Sequence, residues 1–146
     1  MASQSQLQTL IELARRETDD AAKRLGQALK AVQDAEDKLN MLIGYRDEYS
    51  KRFAATQQAG ITPMAYRNFQ AFMGKLDDAI RGQEEVLKHT QARGEKEKGI
   101  WQEAERKRMS YSTLNDRAMA AALQAENKRD QKAMDEHAAR QAFHKR

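Results

Sequence analysis

The chain has 146 residues, of which 33% are charged and 6% aromatic, and its formal net charge is +4. One proline, seven glycines and a hydrophobic fraction in which alanine is the commonest residue favour long helices over a thick globular core. The absence of cysteine excludes a disulfide framework and a cysteine-based metal site or nucleophile.

The ends and the charge balance set further expectations. The first six residues, MASQSQ, lack the basic and apolar regions of a signal peptide, and no apolar run approaches the ~20 residues that span a bilayer. We therefore expect a soluble protein that reaches a membrane only by binding something there. The small basic excess is typical of two solvated helix faces and is a weak signal for nucleic-acid binding.

The first half of the chain carries a heptad pattern from about residue 4 to residue 58. Apolar residues recur at alternating steps of four and three, with only Thr18 and Arg46 interrupting the series. The series comprises Leu7, Ile11, Ala14, Thr18, Ala21, Leu25, Ala28, Val32, Ala35, Leu39, Leu42, Arg46, Tyr49 and Phe53. This pattern predicts a long helix with a coiled-coil seam that needs a partner helix.

A single break follows, at residues 59–62. Gly60 precedes the only proline of the chain, and Thr62 stands where its hydroxyl can cap a new helix that begins at Pro63. The break therefore predicts a turn between two helical arms.

The second arm is predicted from about residue 63 to residue 140, followed by a frayed tail at 141–146. Residues at the same heptad steps are apolar as far as Leu87, except at Gln83. The apolar series weakens around Gly94 and continues from Ile100, one residue out of step with the earlier positions. A slip of this kind requires local unwinding or overwinding of the coiled coil.

Folding back about Gly60 pairs residues whose numbers sum to roughly 122. Phe53 is then opposite Phe69, and Leu42 is opposite Ile80. The sequence thus predicts an all-α fold: one long antiparallel two-helix coiled-coil hairpin, forming a single domain. The second arm outlasts the first, so the C-terminal helix from Met119 onward overhangs without an intramolecular partner.

Aromatic residues gather near the turn. Tyr45 and Phe72 fall at g positions, which flank the seam on the same side of an antiparallel pair. Uncovered aromatics beside a seam are typical of a partner-binding patch, but they could equally drape over the seam. Leu42, Tyr49 and Leu76 would contribute the edges of such a patch.

No constellation of residues predicts chemistry. The sequence has neither a phosphate-binding GxxxxGK[ST] loop nor a GxSxG elbow. His137 and His144 are two turns apart, which is not the spacing of histidine ligands on a helix. We therefore expect neither catalysis, nor a cofactor, nor a bound metal.

Several stretches, in their order and spacing around one turn, resemble a known family. They are residues 10–14 (LIELA), 19–22 (DDAA), 39–45 (LNMLIGY) with Tyr49, 68–72 (NFQAF) and 120–136 (AAALQAENKRDQKAMDE). On these grounds the chain resembles the FliJ family, small cytoplasmic components of the bacterial flagellar type III export apparatus.

The resemblance implies a stalk-like antiparallel coiled coil that is not an enzyme and that is needed for flagellar assembly and motility. Its implied partners are the export ATPase FliI, the membrane export-gate protein FlhA and export chaperones, which it escorts to the gate. It would couple the ATPase ring to the gate as a rod, at the cytoplasmic face of the inner membrane.

The resemblance also implies two binding sites. Gate binding is expected at Leu42, Tyr45, Tyr49, Phe72 and Leu76. ATPase binding is expected at Leu10, Ile11, Ala14, Met119, Leu123, Asn127, Asp130 and Met134.

Other functions remain open from the residues. A nucleic-acid-binding coiled coil would lose affinity steeply with salt, but the sequence offers no clustered basic face. A general scaffold, or a protein whose C-terminal segment lies on anionic lipid, is a second alternative, although that segment's mixed charges suit lipid poorly. A parallel homodimer of bent rods would differ in mass from the expected monomer.

Overall fold

The computed structural model describes residues 4–145 and contains two α-helices. Helix α1 spans Gln4–Gln58 and helix α2 spans Pro63–His144. Within the described residues there is no strand. The predicted all-helical class is confirmed, and the two long helices pack antiparallel.

The turn between the helices follows from three residues. Gly60 has a φ of 92°, in the left-handed region that side chains with a Cβ rarely occupy. The Thr62 hydroxyl accepts a hydrogen bond from the backbone N–H of Ala65 at 3.1 Å. This is the predicted cap, and α2 begins at Pro63, whose missing N–H has no helical partner to lose.

The chain divides into two compact units. Unit 2 comprises residues 20–102, which include the turn, and unit 1 comprises residues 1–19 and 103–146. In each unit a segment of α1 packs against a segment of α2. Within unit 1, for example, the Lys107 ammonium lies 3.5 Å from the Glu17 carboxylate.

The most deeply buried residues of the α1 seam in unit 2 are alanines. Ala21, Ala28 and Ala35 are buried, and the side-chain amide of the buried Gln83 donates a hydrogen bond to the Ala35 carbonyl at 3.1 Å. Gly94 is also buried, with the Leu29 side chain beside it. Small residues at these positions let the two helix backbones approach closely.

The register near the turn agrees with the predicted sum of about 122. The rings of Phe53 and Phe69 stack with their centroids 3.5 Å apart. Arg46 and Asp77 form an ion pair between the helices with an N–O distance of 2.5 Å.

The predicted slip of the α2 seam is wrong. The less exposed positions of α2 keep the original step through Gly94, Glu97 and Trp101 in unit 2, and through Ala104, Arg108, Tyr111 and Asn115 in unit 1. Ile100 and Leu114, which the slipped register would cover, are exposed. A continuous helix keeps its period through polar residues, because long side chains such as Arg108 can lay their alkyl stems along a seam.

The C-terminal part of α2 is longer than predicted. Within the described residues α2 continues unbroken to His144 with no separate helix after it, whereas the prediction ended the helix near Arg140 and left a frayed tail. Strong helix formers at Ala138, Ala139 and Ala142 account for the extra turn. Every residue from 116 to 145 is exposed, and Arg146 lies outside the described residues.

The described residues contain neither a membrane-spanning stretch nor a cluster of metal ligands. Neither helix contains a stretch that is long and apolar enough to cross a bilayer. No group of three or more histidine, aspartate or glutamate side chains within residues 4–145 is arranged to hold a metal ion.

Candidate protein-interaction site

Five aromatic rings are connected beside the turn, within unit 2, with Tyr66 joined to the others through Phe53. Phe53 stacks on Phe69, whose ring also stacks against Tyr49 with centroids 5.5 Å apart. Tyr49 in turn contacts Phe72, with centroids 4.5 Å apart and ring planes tilted by 51°. We call Tyr49, Phe53, Phe69 and Phe72 the aromatic cluster. The rings pair across the two helices, so the cluster both joins the helices and carries the outward-facing Phe72.

The predicted gate-binding residues come together on one flank of this cluster. Tyr45 is 54% exposed and Phe72 is 44% exposed, so neither ring is sealed inside the hairpin. A surface depression is lined by Tyr45, Glu48, Tyr49, Arg52 and Phe72. Leu42 and Leu76 are half-buried. Three of the five predicted residues therefore line one open depression. The two leucines are less exposed, because they lie at the seam between the helices.

One ion pair lies at the border of the depression. Arg52 and Glu48 pair one turn apart on α1 at 2.9 Å, and both side chains are well exposed. Exposed pairs of this kind contribute little to stability, so their charges remain available to a partner. The depression thus combines aromatic surface with one cation and one anion at its edge.

Arg46 is a cation at a seam position next to the aromatic cluster, and a carboxylate of α2 pairs with it. Its guanidinium donates a hydrogen bond to the Asp77 carboxylate of α2. This hydrogen bond lowers the pKa of Asp77 below its ordinary value, and it raises the pKa of Arg46. Both groups therefore stay charged at neutral pH, and the pair connects the helices where the seam lacks an apolar residue.

The predicted ATPase-binding residues all lie in unit 1, but they differ in exposure. Ile11 and Ala14 are only 4% and 2% exposed, because they occupy the seam and pack inside the unit. Their side chains cannot form part of a binding surface. The remaining residues, Leu10, Met119, Leu123, Asn127, Asp130 and Met134, are exposed.

Two exposed apolar residues beside these sites were missed by reasoning from the sequence. Met41 lies one helical turn before Tyr45, and Leu13 lies one turn before Glu17, beside Leu10. Both stand outside the heptad series, which directed attention to the seam. The signal that could have found Met41 is its i, i+4 spacing from Tyr45, which places the two side chains on one surface.

Comparisons with known proteins cover the whole described chain. The sequence model of a family described as "Flagellar FliJ protein" matches residues 3–146. The chain is 38% identical over 145 residues to the flagellar FliJ protein of Escherichia coli (strain K12), with 99% of both chains covered. It is 39% identical over 145 residues to the flagellar FliJ protein of Salmonella typhi, again with 99% of both chains covered.

Proposed function

The chain belongs to the FliJ family, non-enzymatic components of the flagellar export apparatus, and we propose that it couples the export ATPase FliI to the export gate FlhA. It would do so as a helical rod with one partner site in each unit. Such a role requires stiffness and surface contacts and no active site. The observation that carries the proposal is the exposure of two rings on one side of the seam, Phe72 of the aromatic cluster and Tyr45 beside the cluster.

Gate binding would use the depression between Tyr45, Tyr49 and Phe72. Partly exposed aromatic rings that are held in place by neighbours lose little conformational entropy on binding and bury a large apolar area. Contacts within the cluster fix the Tyr49 and Phe72 rings before a partner arrives. The gate's cytoplasmic domain would cover the depression, with Leu42 and Leu76 at its edge.

The test of gate binding is the double substitution Tyr45→Ala and Phe72→Ala. We expect binding to the isolated cytoplasmic domain of FlhA to fall at least about a hundredfold, because each aromatic anchor contributes about 2 kcal/mol. Helicity, measured by circular dichroism, and ATPase binding should be retained.

Leu29→Ala is the matched control, because Leu29 is 55% exposed in the same unit but belongs to the opposite flank of the hairpin. It should leave gate binding unchanged. If the double variant still bound the gate domain normally, the assignment of this depression would be wrong.

ATPase binding would use the exposed end of α2 together with Leu10. Met119, Leu123, Asn127, Asp130 and Met134 follow one another at steps of four and three, so they share one helix face. All are exposed. We propose that this part of α2 is an overhanging end without an intramolecular partner and that the ATPase ring receives it.

A single charge tests this face. Leu123→Glu should weaken FliI binding by about tenfold or more, since it buries a carboxylate against the partner. Ala125→Glu places the same charge on the opposite face of the same turn and should change binding little. Binding measured by interferometry would contradict the proposal if the two variants weakened it equally.

The remaining roles follow from membership of the apparatus. We propose that the protein escorts export chaperones to the gate, that it works in the cytoplasm at the inner face of the membrane, and that it is a monomer in isolation. Light scattering gives the mass of the purified chain and would contradict the last point if it returned a dimer.

A further inference from the structure

One face of α2 between Val86 and Ile100 carries basic residues and no acidic ones, while Lys88 and Lys98 share the other faces with the acidic residues. Val86, His89, Arg93, Lys96 and Ile100 follow one another at steps of three and four, so they form a single stripe along the helix. All five are exposed, and the stripe contains no acidic residue. The acidic residues of this segment lie elsewhere, Glu95 on the opposite flank and Glu97 on the seam. We call these five residues the basic stripe.

The cations of the basic stripe are not neutralised within the molecule. Arg93 and Lys96 have no ion pair with any residue of the described range 4–145, and neither has His89. Elsewhere on the same helix, by contrast, Lys88 pairs with Glu85. The positive charge of the stripe therefore remains available to an external group.

Helix α1 borders the stripe with more unpaired cations. Its g positions in this part of unit 2 are Arg24, Ala31 and Lys38, which flank the seam on the same side as the g positions of α2. Asp20 and Asp34 lie one position further out on α1. The surface nearest to α2 is therefore basic, and acidic groups appear only at its outer edge.

Two aliphatic side chains mark the ends of the stripe. Val86 is 46% exposed and Ile100 is 39% exposed. They are two heptads apart, about 21 Å along the helix axis. A partner that covers both must present apolar groups at a similar spacing and negative charge between them. A helix with one apolar edge supplies that repeat.

We propose that the basic stripe is a docking surface for an acidic amphipathic helix of a protein partner. Its apolar residues would cover Val86 and Ile100, while its carboxylates would face Arg93 and Lys96. Duplex nucleic acid fits less well. It carries one negative charge per about 1.7 Å of helix axis, and its backbone offers no apolar surface to cover Val86 and Ile100. The surface is separate from the depression at Tyr45 and Phe72.

The probe is a synthetic helical peptide with leucines two heptads apart and glutamates between them, added to the full chain and followed by fluorescence anisotropy. Lys96→Glu should weaken binding about fivefold, since it replaces attraction by repulsion at the stripe. Lys98→Glu is the matched control: it makes the same charge change two residues away on the opposite flank, and should alter binding by less than about twofold. Val86→Ser should weaken binding as well.

Several results would overturn the proposal: no binding of the acidic peptide, equal binding of a version with lysines in place of glutamates, or equal effects of Lys96→Glu and Lys98→Glu. Duplex DNA or anionic vesicles that bind in a Lys96-dependent manner, more tightly than the peptide, would also overturn it. The double variant Tyr45→Ala and Phe72→Ala should bind the peptide normally, which separates this surface from the proposed gate site.

Discussion

The buried alanines of the seam and Tyr49 of the aromatic cluster occupy equivalent heptad positions in unit 2, yet they differ in how far they are covered. Ala21, Ala28 and Ala35 are buried, whereas Tyr49 remains partly exposed. Small side chains allow the helix axes to approach, while stacked rings need more space and leave their edges at the surface. The same repeat therefore gives a closely packed seam in one place and partly exposed aromatic rings, our proposed gate-binding surface, in the other.

The largest effect is expected where the seam is closest packed. Ala28 is 0% exposed, so Ala28→Asp would bury a carboxylate without a partner and lower the free energy of unfolding by about 3 kcal/mol or more. Gln27→Asp changes the exposed neighbour to the same residue and should cost less than about 0.5 kcal/mol. Urea unfolding followed by circular dichroism compares the two, and equal losses would contradict the described packing.

A smaller effect is expected in the aromatic cluster. Phe53→Ala removes the stack on Phe69 and the contact with Tyr66, and should lower the free energy of unfolding by about 2 kcal/mol, because the ring is only half-buried. Phe143→Ala, at an exposed position of unit 1, should change it by no more than about 0.5 kcal/mol. If Phe53→Ala proved as costly as Ala28→Asp, the contrast between the two parts of the seam would fail.

The smallest effect concerns the ion pair beside the cluster. The hydrogen bond from Arg46 lowers the pKa of Asp77, so its stabilising contribution is complete above the ordinary Asp pKa of about 3.9 and is lost as the pH falls through the lower, folded value. Asp77→Asn should therefore lower the melting temperature slightly at neutral pH and flatten its decline in acid.

Asp78→Asn is the control for this titration, because Asp78 pairs with Arg81 of its own helix and does not bridge α1 and α2. Melting temperatures measured from pH 7 down to strong acid should fall in parallel for this variant and the unmodified chain. A parallel decline for Asp77→Asn as well would mean that the inter-helix pair contributes nothing.

Much of the fold could be predicted from the sequence because its signals are local. The cap at Thr62, the break before Pro63 and the alanine heptads of α1 each depend on residues close together in the chain, and the stacking of Phe53 on Phe69 follows from counting across the turn. The seam of α2 beyond Thr90 could not be predicted in this way. The positions of the apolar residues predicted a slip of the heptad pattern at Ile100. In the structure the seam keeps the original heptad step through the charged residues Glu97 and Arg108.

The candidate sites show the same limit. The closeness of Tyr45, Tyr49 and Phe72 could be predicted, since it depends only on heptad position and register. The burial of Ile11 and Ala14 conflicts with their predicted place in a binding surface, although the same heptad series had put them on the seam. The steps of the basic stripe can be read from the sequence, but the slipped register would have covered Ile100, and only the structure shows that this end of the stripe is exposed.

The polar residues on the seam also bear on how many copies of the chain assemble. In a parallel pair with matched register, every seam residue would lie against its own counterpart, so that Arg46 would meet Arg46, Glu97 would meet Glu97 and Arg108 would meet Arg108. Each encounter sets like charges together at a half-buried position. Folding back gives Arg46 a carboxylate to bind instead, so at this seam position the antiparallel hairpin avoids the like-charge contact of an in-register parallel pair.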